Sequence, residues 1–116
     1  MEVQIFGSKK SSETRAALRF FAERRIKTHF VDFAVRAPAV GELTRFAQKF
    51  GVAGILDRES KRFGDLGWGS ARYPDGRWIE KLAEEPMALR MPLVRCRNQL
   101  TVGSAESEWE SWLATS

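Results

Sequence analysis

The first third of the sequence sets a strand pattern, a capped helix pattern and a second strand pattern in immediate succession, and this order limits the fold more than any other feature. Val3, Ile5 and Phe6 form a short apolar run that ends at Gly7, as an inner strand does. Ser11, Ser12, Glu13 and Thr14 then supply hydroxyl caps and an acid in a first helical turn. Thr14, Ala17, Leu18 and Phe21 follow at i, i+3, i+4 and i+7, one face of a helix, with Arg15, Arg19 and Glu23 on another. Thr28 to Phe33 is rich in β-branched and aromatic residues and reads as a second strand. A strand–helix–strand unit of ~30 residues joins its strands by a right-handed crossover, so the two strands are expected to be parallel.

The remainder adds to this α/β beginning. After Pro38 a second helix repeats the spacing with Leu43, Phe46, Ala47 and Phe50, and Gly51 is placed to cap its C-terminus. From Gly54 to Gly76 glycines and Pro74 break the pattern, and no element is predicted there. Trp78, Ile79 and Leu82 mark a short helix that Pro86 ends. Pro92-Leu93-Val94 and Leu100-Thr101-Val102 read as two strands of a hairpin around Arg97-Asn98-Gln99. Ser104, Glu106 and Glu108 open a last helix with Trp109, Trp112 and Leu113 on one face. Trp78, Trp109 and Trp112 are expected in the core. Trp68, held between Gly67 and Gly69, reads as a loop aromatic available to a partner.

Composition narrows the function classes. With 116 residues, the chain is expected to be a single domain. One cysteine, Cys96, excludes an internal disulfide and a cysteine-only metal site, and one histidine, His29, leaves too few soft ligands for an ordinary zinc site. No apolar run approaches the ~20 residues that span a bilayer. The N-terminus lacks the basic start and apolar stretch of a signal peptide, so a cytoplasmic, membrane-free protein is expected. The net charge of +4 is spread over isolated pairs such as Lys9-Lys10, Arg24-Arg25 and Lys61-Arg62. Such pairs are ordinarily solvated faces, so nucleic acid is not an expected partner.

Several strings, collinear over nearly the whole chain, resemble the arsenate reductase (ArsC) family. Phe6-Gly7-Ser8-Lys9-Lys10-Ser11 is similar to its aromatic-Gly-x-x-x-Cys loop entering a helix. Phe46 to Phe63, with Phe50-Gly51 and Ile55-Leu56-Asp57-Arg58, is similar to its second helix and basic loop. Glu85-Pro86-Met87-Ala88-Leu89-Arg90-Met91-Pro92-Leu93-Val94 resembles its string Glu-Asn-Pro-x-Leu-x-x-Arg-Pro-[IV], and Leu100-Thr101-Val102-Gly103 before an acidic helix matches its end. The resemblance implies a thioredoxin-like α/β fold: a βαβ unit, a helical segment and a ββα C-terminal unit around a mixed four-stranded sheet. It also implies relatives of three kinds: glutaredoxin-coupled reductases, YffB-like proteins and the Spx regulators that bind RNA polymerase.

In the reductases a loop cysteine attacks arsenate while arginines hold the oxyanion. Here the cysteine position falls on Ser11, and the second cysteine of a Cys-x-x-Cys version falls on Thr14. A hydroxyl cannot form or exchange a disulfide. Met91 stands where the family string has the arginine before its proline, with Arg90 one place earlier, and no arginine matches a third position near Val102 or Gly103. The chain is therefore expected to have no catalytic nucleophile. Lys10, Ser11, Ser12, Arg58, Arg90 and Pro92 are the candidates for holding a small anion or a protein partner. Arg58 or Arg90 is expected to point toward the start of the first helix, and the Met91–Pro92 bond is expected to be cis. Cys96 sits in the hairpin between Arg95 and Arg97, which favour a reactive thiolate, but it is remote in motif terms from the family's active cysteine, and a lone hairpin cysteine is expected to be inert. No cofactor or metal is expected, with glutathione the one small molecule the resemblance offers. Two further functions stay open: a glutathione- or glutaredoxin-linked reductase or transferase, and an Spx-like partner of RNA polymerase.

Overall fold

The computed structural model describes residues 1–115, which fall into two compact units: Met1–Asp32 with the chain from Met91 onward, and Phe33–Arg90. The first unit holds β1 (Glu2–Gly7), α1 (Ser12–Glu23), β2 (Lys27–Asp32), β3 (Leu93–Cys96), β4 (Gln99–Val102) and α5 (Glu106–Ala114). The second holds α2 (Val40–Ile55), α3 (Lys61–Asp65) and α4 (Asp75–Glu84), with short 3-10 turns at Trp68–Ser70 and Pro86–Ala88.

The first unit is built on a mixed four-stranded sheet in the order β2-β1-β3-β4. β1 runs parallel to β2, with Glu2 opposite Lys27 and Gly7 opposite Asp32, as the strand–helix–strand order requires. β3 runs antiparallel to β1 and to β4. Because side chains alternate across a strand, Val3 and Ile5 share a face with Val94 and Cys96. That face packs with Ala17, Phe20 and Phe21 of α1 and Trp109 and Trp112 of α5. Phe20, Phe21 and Trp109 meet in edge-on and tilted ring contacts at centroid distances of 5.0–5.3 Å. The Trp109 indole N–H donates to Thr101 Oγ1 at 2.8 Å, which satisfies a buried hydroxyl on β4. α5 begins after Ala105, which makes no side-chain cap bond, so Ser104 does not open it as the sequence suggests; Glu106 and Glu108 do sit in its first turn.

α1 ends by physics that the sequence does not advertise. Arg25 takes φ +57, while the Arg25 and Ile26 N–H groups donate to the carbonyls of Ala22 and Phe21. This is the closing pattern usually given to glycine. Arg24 lies over the Phe20 ring at 3.6 Å and reaches Glu110 on α5.

In the second unit α2 and α4 pack together. Gly51 does interrupt α2, with φ +75, but it does not end it: Val52 to Ile55 add one more turn in a new direction. The 54–76 stretch is more ordered than its glycines suggest. Ser60 caps α3 by accepting the Phe63 N–H at 3.1 Å. Trp68 is buried between Phe63 and Trp78, with ring centroids at 6.3 and 5.3 Å, so it is a core residue and not an exposed aromatic. Among the described residues no helix is long and apolar enough to cross a membrane.

Candidate functional site

The loop from β1 into α1 is fixed by its own short side chains. Ser11 sits at the N-cap in extended geometry, φ −84 and ψ 123, and its Oγ accepts the Thr14 N–H at 3.1 Å. Its backbone carbonyl accepts the Arg15 N–H, and its N–H donates to the Ser8 carbonyl at 2.9 Å. Ser8 is itself buried, and its Oγ accepts the Lys10 N–H at 3.2 Å. The Arg15 guanidinium closes the outside of the loop on the Lys9 carbonyl at 2.6 Å. Beyond these bonds the N–H groups of Ser12 and Glu13, in the first turn of α1, have no acceptor among the described residues. Four N–H groups lack helical partners at any helix start, and here the cap and the loop satisfy only part of that set.

The loop also leans on one close approach. Thr14 is fully buried beneath it, and a Cβ added to Gly7 would lie 2.5 Å from Thr14 Oγ1. Position 7 therefore admits glycine alone while threonine stands at position 14. The sequence showed the glycine, but only the packing shows why it must be one.

Strand register places the other residues of this unit. Phe6 faces Leu93 across the antiparallel ladder, so buried Pro92 lies level with Gly7 at the loop end of β1. The Met91–Pro92 bond is cis, as the sequence predicts, and the Pro92 carbonyl accepts the Gly103 N–H at 2.8 Å. Cys96 lies one residue beyond the Gln4–Arg95 pair, at the level of Val3. It is a free cysteine, buried in the core, and four strand residues separate its level from Gly7, about 13 Å. His29 pairs with Gln4 in mid-strand and its Nε2 lies 3.3 Å from Glu2 Oε2, so the chain's one imidazole serves a surface contact away from Ser11. Glu2, held also by Lys27 at 3.1 Å, has its carboxyl lowered below the usual value, chiefly by the bond to that lysine.

Lys10, Ser11 and Ser12 are thus brought together by chain contiguity, with Pro92 beside them by register. Lys9 and Lys10 are exposed, as is Ser12, and Ser11 is part-exposed. The two arginine candidates belong to the second unit. Leu56 and Leu89 form an antiparallel bridge, flanked by bonds from the Asp57 N–H to the Ala88 carbonyl and from the Arg90 N–H to the Ile55 carbonyl, each 2.8 Å. Arg58 and Arg90 leave this bridge at opposite ends. The Arg90 Nε donates back to the Leu56 carbonyl at 3.3 Å, while the Arg58 guanidinium lies 5.7 Å from the Phe63 ring centre. Both side chains are exposed. In the same unit Arg62 bonds Glu85 at 2.7 Å and holds its carboxyl below the usual range.

The start of α1 is an electropositive place. Free N–H groups, the positive end of the helix dipole and adjacent lysines all act in that direction. It lacks a thiol.

Known proteins resemble the chain along most of its length. The model of the ArsC family matches residues 6–112. An arsenate reductase of Neisseria meningitidis serogroup A is 27% identical over 105 residues, covering 88% of this chain and 90% of that protein. The structure of an arsenate reductase from Vibrio cholerae superposes with a TM-score of 0.76 at 24% identity, covering 98% of this chain and 97% of the other. That of the YFFB protein reaches 0.85 at 18% identity, covering 94% and 96%. These likenesses carry the thioredoxin-like fold expected from the sequence.

Proposed function

The chain belongs to the ArsC family, and from that premise we propose that it binds a small oxyanion at the start of α1 without reducing it. One observation carries the reading. The residue at the helix entry is Ser11, whose Oγ accepts the Thr14 N–H as a cap, while the only thiol is Cys96, buried in the core at the level of Val3, four strand residues from Gly7 where the loop begins. A hydroxyl without an activating base is a poor nucleophile and cannot turn over through a disulfide. The attraction for an anion survives this loss, because it comes from the Ser12 and Glu13 N–H groups, the helix dipole, and Lys9 and Lys10. In this reading Lys10, Ser11 and Ser12 hold the ligand and Pro92 borders it. The same surface serves a protein partner that presents an anionic group.

The test is an arsenate turnover assay with glutathione and glutaredoxin. The expected result is no reduction above the protein-free control. Turnover would overturn the reading and point instead to a reductase or transferase that borrows the glutathione thiol. Capture of RNA polymerase in a pull-down that arsenate or phosphate does not affect would favour an Spx-like regulator.

A further inference from the structure

We draw no further inference here: the strongest candidate, the exposed apolar segment of Val35 and Val40 leading into α2, has nothing in the structure to show what covers it.

Discussion

Replacing Ser11 separates the structural work of this position from the chemistry of the family. In Ser11→Ala the Thr14 N–H loses its 3.1 Å acceptor. Thr14 is fully buried, so water does not readily take the place of the lost oxygen. Loss of a serine cap costs ~0.5–2 kcal/mol, with about 1 typical. Unfolding entropy scales at about 2.1 cal/mol/K per residue, so ~1 kcal/mol corresponds to a fall in Tm of about 4 °C for a chain of this length. Urea unfolding should show a lower midpoint at unchanged slope. Ser11→Cys asks the complementary question. A thiol there meets the α1 dipole and Lys9 and Lys10, all of which favour the thiolate. A dipole term of ~0.3–1 kcal/mol alone lowers a pKa by about 0.2–0.7, and the lysines add to it at low salt. Alkylation rates against pH should place this thiol below ~8.5, the value of a free cysteine. Buried Cys96 serves as the unreactive internal control in the folded state. An unchanged urea midpoint for Ser11→Ala would refute the capping argument. A Ser11→Cys thiol no more acidic than a free one would refute the electrostatic argument on which anion binding rests.

Three further outcomes follow from the packing. Gly7→Ala should destabilise by ~1–3 kcal/mol in urea unfolding, because its methyl must displace the Thr14 hydroxyl; the same change made in a Thr14→Ala background, which lacks the two closest atoms, should cost less. Trp109→Phe should cost ~1–3 kcal/mol by leaving the buried Thr101 hydroxyl without the indole N–H, and a Thr101→Val change in that background should cost much less than it does alone. Glu85, its carboxyl lowered chiefly by its hydrogen bond from Arg62, contributes stability that is present above the unfolded carboxylate's pKa and lost as pH falls through its folded value. Wild type and Glu85→Gln should therefore differ most near neutrality and converge in acid, and a gap that widens on acidification would contradict the assignment.

The strand–helix–strand beginning, the terminal hairpin and the last helix were legible because each carries a full period of its pattern. Val3 and Ile5 alternate, and Trp109 and Trp112 repeat at helical spacing. The one-face spacing of α1 does not mark Phe20, which is buried beside Phe21. A single-face reading of α1 assumes one buried side, whereas α5 gives that helix a second neighbour through Trp109. The five residues of α3 are too few to show a period, and its glycine suggests a break. The Ser60 cap three residues before Phe63 was the available signal. Trp68 looked like a loop aromatic because its flanking glycines say nothing of Phe63 and Trp78, which enclose it. At the candidate site the Ser11 cap could be read from the local string and the cis Met91–Pro92 bond from the family resemblance. The Gly7–Thr14 contact could not, since it joins residues that no periodic pattern relates.

The most direct test of a thiol-free anion site at α1 is an NMR titration of the backbone amides with phosphate, against chloride at matched ionic strength. The account predicts saturable shifts centred on Lys10 to Glu13, induced by phosphate and absent with chloride. Shifts that are equal for the two salts, or phosphate-induced shifts that leave the Ser12 and Glu13 amides unmoved, would contradict it.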